Sequence, residues 1–315
     1  MRHTKRITII CWIITALALL GLLAWALLGG IFNLGGFGLD LFGVGNFDAV
    51  GSHSVPADNI HSLDVDWTSG RVYIGVHDGD NIEVTEFARR NLRDNEAMGV
   101  SEAGGTLSVR FTERRVLSMN LSKQLEILIP RSLSENLEHF RINTVSGRVE
   151  SSGIAAVDAA ISTTSGRIEL RDMTAQTLTA STTSGRIWLS SVQAEDISLR
   201  TVSGRVETSS TTTDRLQTQT TSGRHELSGA FGAVSARSVS GRIDVTSRVV
   251  PDTLTAHATS GRITVTVPDG EPISVQYSTR SGRFSSNIPV VTHGGEQAQF
   301  DLSTTSGRIS IYALG

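Results

Sequence analysis

The tripeptide Ser-Gly-Arg occurs ten times in this 315-residue chain, with its glycine at 70, 147, 166, 185, 204, 223, 241, 261, 282 and 307. The longer form Thr-Thr-Ser-Gly-Arg-Ile stands unchanged at 163–168, 182–187 and 304–309. From Gly147 onward the glycine spacings are 19, 19, 19, 19, 18, 20, 21 and 25. A period near 20 residues restricts the chain to repeated supersecondary units, each stacked on its neighbour.

Apolar residues alternate on both sides of each glycine. Ala159 and Ile161, Leu178 and Ala180, and Ile197 and Leu199 hold one parity ahead of it. Ile168 and Leu170, Ile187 and Leu189, Ile243 and Val245, and Ile263 and Val265 hold the other parity after it. Period-two alternation means strands with one face buried, and a parity change across Ser-Gly means a corner in every repeat. Gly147, Gly166, Gly185, Gly204, Gly223, Gly241, Gly261, Gly282 and Gly307 read as the corner residues, chosen for an unusual φ/ψ. The expected fold is all-β: a single-stranded parallel β-solenoid, β-helix-like, with coils of about 19–20 residues over 146–315. The stretches RDMTAQT, SSVQAED and SSTTTD differ between copies and read as loops on one edge. Residues 48–145 carry the less regular alternating runs RVYIGV, NIEVTEF, TLSVRF and LEILIP, which read as an irregular β cap or first layers.

The arginine is explained by the acid that accompanies it. Two residues after Arg148, Arg167, Arg186, Arg205, Arg224 and Arg242 stand Glu150, Glu169, Trp188, Glu207, Glu226 and Asp244, on the outward parity. Stacking sets an arginine column beside an acid column. Unpaired arginines ~4.8 Å apart repel by about 1 kcal/mol in a water-like dielectric, and the acids offset this. In the late copies the acid is missing: Arg262, Arg283 and Arg308 are followed by Thr264, Ser285 and Ser310, and Arg280 adds a further charge. Arg262, Arg280, Arg283 and Arg308 are therefore candidates for contact with an anionic polymer. Trp188, in an acid's place, is a candidate stacking surface for a sugar.

Residues 7–28 carry no charge, and at ~1.5 Å per residue they reach across a bilayer core. Arg2, Lys5 and Arg6 precede them, which orients the amino terminus to the cytoplasm. The organisation expected is a cytoplasmic tail (1–6), a transmembrane signal anchor (7–28), a Gly-rich tether (29–47) and an extracytoplasmic remainder. Beyond Arg6 there are 25 basic against 31 acidic residues, which argues against nucleic acid as partner. The single cysteine, Cys11, allows neither a disulfide framework nor a cysteine-based zinc site within one chain. No metal, phosphate-loop or nucleophile motif is present, so neither cofactor nor metal is expected. The acids follow the repeat rather than forming a local catalytic cluster. A polysaccharide-processing β-helix enzyme is the alternative, with His225, on the inward parity, as its irregular residue. The chain stops at IYALG directly after a strand, so the carboxy-terminal coil is expected to leave an open edge suited to self-association.

The run Leu63-Asp64-Val65-Asp66-Trp67-Thr68-Ser69-Gly70-Arg71-Val72, then Ile82-Glu83-Val84, Leu107-Ser108-Val109 and Leu125–Pro130, precedes the repeated Thr-x-Ser-Gly-x-Ile. Together they resemble the bacterial "putative adhesin" family over residues 48–315. The resemblance implies β-strand repeats behind one transmembrane helix and, for some members, association with envelope-stress systems. It implies no catalytic residues. This chain departs from the family in placing Arg after the glycine in all ten copies. The expectation is a non-enzymatic, single-pass membrane protein of the cell envelope, an interaction or scaffold module contacting anionic wall polymers or a partner protein. An accessory role in an envelope-stress response is a further alternative.

Overall fold

A computed structural model describes residues 47–112, 122–270, 272–291 and 298–315. The chain divides into two units after Gly45, and the expected tail, anchor and nearly all of the tether lie outside the described residues. Among the described residues no helix is long and apolar enough to cross a membrane.

The second unit is all-β. Its strands are β1 (Asp48–Pro56), β2 (Ser62–His77), β3 (Asn81–Ala88), β4 (Gly99–Ala103), β5 (Thr106–Arg110) and β6 (Lys123–Pro130). After a single turn of helix, α1 (Arg131–Ser134), come β7 (Leu137–Ser152), β8 (Ala155–Ser247), β9 (Thr253–Ser260), β10 (Ile263–Val267), β11 (Ile273–Ser286), β12 (Val290–Val291) and β13 (Gln299–Ala313).

Successive repeats pair in parallel, with like positions opposite each other. Gly70 faces Gly147 between β2 and β7, and Arg148 faces Arg167 between β7 and β8. Within the repeat that begins at Gly166, the buried positions are Ile168, Leu170, Met173, Ala175, Leu178, Ala180 and Thr182. The alternation slips after Leu170, after Ala175 and again across Ser184-Gly185, so each repeat holds three short inward-facing runs separated by three bends. Each buried Leu or Ile contributes roughly 1.5–3 kcal/mol by leaving water, which makes this parity the main determinant of register.

The variable stretches after each Arg are not loops, as the sequence suggested, but part of the continuous strand β8. Their bend is made by a left-handed residue six positions after the glycine: Asp172 (φ 48°), Ser191 (φ 54°) and Ser210 (φ 51°), with Gly153 (φ 77°) in the preceding repeat. Asp and Ser tolerate this conformation better than most side chains. The backbone can therefore turn without leaving the ladder.

The glycines have a different reason from the one read in the sequence. Of the ten in Ser-Gly-Arg, only Gly70 has a left-handed φ, of +97°. The requirement elsewhere is close approach. A Cβ on Gly166 would come nearer than 3.0 Å to the carbonyl oxygen of Gly147, and the same clash recurs at every step of one column. That column runs Gly70, Gly147, Gly166, Gly185, Gly204, Gly223, Gly241, Gly261, Gly307, Gly282.

Its last two members are out of chain order. β13 pairs with β9 and β10 on one side and with β11 on the other, so the carboxy-terminal strand is internal. Among the described residues, the open edge expected at the carboxy terminus belongs instead to β11, which β12 pairs only at Ile273 and Ser274. Burial accounts for the exchange. β13 places Phe300, Leu302, Ile309 and Ile311 inward, none more than 1% exposed, whereas β11 offers the amphipathic Tyr277 at the position level with Leu302.

At the other end, β5 and β6 both pair in parallel with β2, while β3 and β1 continue from β6 as antiparallel strands. Under them lies an ion pair that the sequence did not advertise. The Lys123 ammonium is 2.7 Å from Glu86 Oε1, with both side chains no more than 1% exposed. Lys123 also donates to the carbonyls of Glu96 (2.7 Å) and Thr112 (3.2 Å) and sits 4.0 Å from the Phe111 ring centre. These contacts supply the hydrogen bonding that a desolvated cation requires.

Candidate functional site

Each Arg of the repeat leaves the strand directly beside the glycine column and points outward, and its partner is set by the acid two residues on. Arg148 is 3.2 Å from Glu150, Arg167 is 3.1 Å from Glu169, Arg205 is 2.8 Å from Glu207 and Arg224 is 2.9 Å from Glu226. Two arginines reach across to the next repeat: Arg71 to Glu150 at 2.5 Å and Arg186 to Glu207 at 3.7 Å. Burial pushes the Glu150 carboxyl up, but hydrogen bonds from Arg71 and then Arg148 outweigh it and hold the group below the usual carboxylate range. Glu207 acts the other way on Arg205, raising the guanidinium further.

The acid column ends at Asp244. Arg242 lies 3.8 Å from it, the longest pair of the series, and burial raises the Asp244 carboxyl despite a hydrogen bond from Thr264 and the nearby Arg242. Beyond it the arginines continue alone. Arg262, Arg308 and Arg283 occupy three consecutive positions of the stack, in that order, and Arg280 lies three residues before Arg283 on the same strand. All four are exposed, and none has a carboxylate within 4.0 Å among the described residues. Arg262, Arg308 and Arg283 therefore stand in one column, with Arg308 between the other two rather than at the end, while Arg280 precedes the Ser-Gly corner of its strand.

The Toastrack DUF4097 model matches residues 60–312, most of the chain. The chain belongs to the Toastrack DUF4097 family. The resemblance to the "putative adhesin" group read from the repeats is thereby shown. Among solved structures, this Toastrack chain is similar to a putative adhesin from Parabacteroides distasonis, with TM-score 0.56 and 14% identity, covering 85% of this chain and 98% of that one. It is also similar to a putative lipid binding protein from the same organism, with TM-score 0.51 and 14% identity, covering 86% and 98%. At this identity the likeness concerns the fold. No curated protein sequence matches the chain.

Trp188 lies away from the late arginines of this Toastrack chain, four positions before Arg262 in the column. Its ring is covered by the Arg171 guanidinium at 4.7 Å, which occupies a face that a sugar would need. His225 is fully buried and out of contact with any polymer. Burial lowers it to about 4, the backbone of Arg237 opposing only in part. The His225 ring nitrogens make no hydrogen bond of normal geometry among the described residues.

This end carries a second feature. Next to the bare arginines a groove of about 540 Å³ is lined by Arg237, His257, Ser278, Arg280 and Ser303. His257 Nδ1 contacts the Ser303 hydroxyl, and its Nε2 is 3.9 Å from Asp301. Arg237 and His257 are opposite each other across β8 and β9, and Ser303 and Ser278 continue the row on β13 and β11. All four stand four residues before a repeat glycine, so the repeat aligns them.

Proposed function

We propose that the chain is a non-enzymatic, membrane-anchored protein of the cell envelope whose repeats wind as a single-stranded parallel β-solenoid. Its late arginine face, Arg262, Arg308 and Arg283 with Arg280, holds anionic wall polymers. One observation carries this reading: the arginine column outlasts the acid column by three positions. A purely structural arginine ladder gains nothing from unpaired neighbours ~4.8 Å apart, whereas a linear polyanion laid along the stack neutralises all of them. The uncharged segment 7–28 and the basic residues before it support an anchor with the repeats outside the cytoplasm. An adhesin-like contact role also agrees with the name of the similar Parabacteroides structure.

The test is co-sedimentation of the detergent-solubilised full-length chain with isolated cell-wall material across a salt series. It is run beside a variant carrying Arg262→Gln, Arg283→Gln and Arg308→Gln. Retention that falls with salt and is lost in the folded variant supports the reading, since exposed charges are screened within ~8–10 Å at physiological ionic strength. Equal retention of both proteins, or none, overturns it.

A further inference from the structure

The geometry points to the edge of β11 as an acceptor for one more parallel strand, contributed by a partner segment of the pattern Gly-x-apolar-acid. This goes beyond the polymer reading and does not depend on it. Three independent features of the edge converge on that pattern.

The first is steric. At every step of the column, the Cβ of a non-glycine residue would strike the carbonyl oxygen of the glycine it stacks on, and Gly282 stacks in this way on Gly307. The carbonyl of Gly282 is the last in the column. A strand added in the same register must place glycine opposite it.

The second is electrostatic and has a direction. The two Ser-Gly-Arg arginines that reach beyond their own repeat, Arg71 to Glu150 and Arg186 to Glu207, reach towards the carboxy-terminal end of the stack. Arg283 is the last arginine in that direction, and its own strand carries Ser285 where the acid would be. An acid three residues after the incoming glycine would stand to Arg283 as Glu150 stands to Arg71.

The third is apolar. Phe284 is level with Ile309 and then Ile263, and Tyr277 with Leu302 and then Ala256, all of them buried inward positions. At the edge these two rings stack on each other, with centroids 4.1 Å apart and planes 6° from parallel, and Tyr277 stays 49% exposed. An added strand with an apolar residue two positions after its glycine would cover Phe284 and extend the core.

Among the described residues, the chain's own complete Gly-x-apolar-acid segments, such as Gly147–Glu150 and Gly166–Glu169, lie inside the ladder with a neighbouring repeat on each side. The described residues of a folded second copy therefore offer no such free strand. Pairing two β11 edges would bring Arg280 and Arg283 of both copies together, which like-charge repulsion opposes. The occupant is an extended segment of another protein.

The probe is a fluorescent peptide copying residues 159–170, which carries Gly166, Ile168 and Glu169 in the required spacing. Its anisotropy is measured against the full-length chain in detergent. We expect saturable binding, weakened about ten-fold by Gly166→Ala in the peptide, and by a similar factor with Glu169→Gln in the peptide or Arg283→Gln in the protein. Absence of binding, or binding indifferent to Gly166→Ala, overturns the proposal. Self-association of the full-length chain that excess peptide reverses would overturn the assignment to another protein and make the occupant a second copy. Because a wall polymer would not sense the peptide glycine, failure here leaves the sedimentation result standing on its own.

Discussion

Arg186 passes over its own repeat and pairs with Glu207 on the next, 3.7 Å away. The cause is local: Trp188 stands two residues after Arg186, where the repeats on either side carry Glu169 and Glu207, and its ring is held by Arg171 instead. Trp188→Glu should give Arg186 a partner on its own repeat while removing the ring from Arg171. These exposed contacts nearly cancel, so the stability of the full-length chain should change by less than about 1 kcal/mol, with the change shrinking in high salt. Thermal unfolding at two ionic strengths decides this.

The glycine column should be intolerant of even one methyl group. Gly204→Ala would drive a Cβ into the carbonyl oxygen of Gly185, in the middle of the stack. The ladder must open there, at a cost of about 3 kcal/mol. Gly270→Ala is the control, since an added Cβ meets nothing within 4 Å and should leave stability nearly unchanged. Urea unfolding midpoints of the two variants should separate clearly.

His225 should make the fold acid-sensitive in a defined window. Its folded-state value is about 4 against an ordinary 6.5, because burial disfavours the charged ring. The unfolded chain therefore binds the proton first as pH falls. The contribution is complete above pH 6.5, is lost between 6.5 and 4, and amounts to roughly 3 kcal/mol. His225→Val places a residue like the Val206 of the preceding repeat in the same position. It should flatten the pH dependence of stability across that window.

The Lys123–Glu86 pair should be far more sensitive to removal of one partner than of both charges. Lys123→Met leaves a buried carboxylate without its cation and should destabilise by about 3–5 kcal/mol. Adding Glu86→Gln removes that charge and keeps an acceptor for the Met98 amide, 2.9 Å from Glu86 Oε2, so part of the loss should return. A double-mutant cycle in urea measures the coupling.

The candidate surface was legible in part because its signals are local. An acid two residues after an arginine on one strand is visible in sequence, and so is its absence after Arg262, Arg283 and Arg308. The groove beside them was legible only as a row: Arg237, His257, Ser278 and Ser303 each stand four residues before a repeat glycine, but the stack decided that Ser303 comes before Ser278. The ring contact of Trp188 was hidden for a different reason: its partner, Arg171, belongs to the previous repeat.

The sequence by itself determined the period, the parity of the buried face and the corner at Ser-Gly, since alternation and turn chemistry act over a few residues. Tertiary structure alone decided why the corner is glycine, because the opposing atom is the carbonyl of another repeat. It also decided the order at the end of the stack. Nothing local distinguishes Ser281-Gly282-Arg283 from Ser306-Gly307-Arg308; β13 takes the inner place because Phe300, Leu302, Ile309 and Ile311 lose more water there than Tyr277 and its neighbours would. That competition between two strands for one buried position can be resolved only when both are folded against the same core.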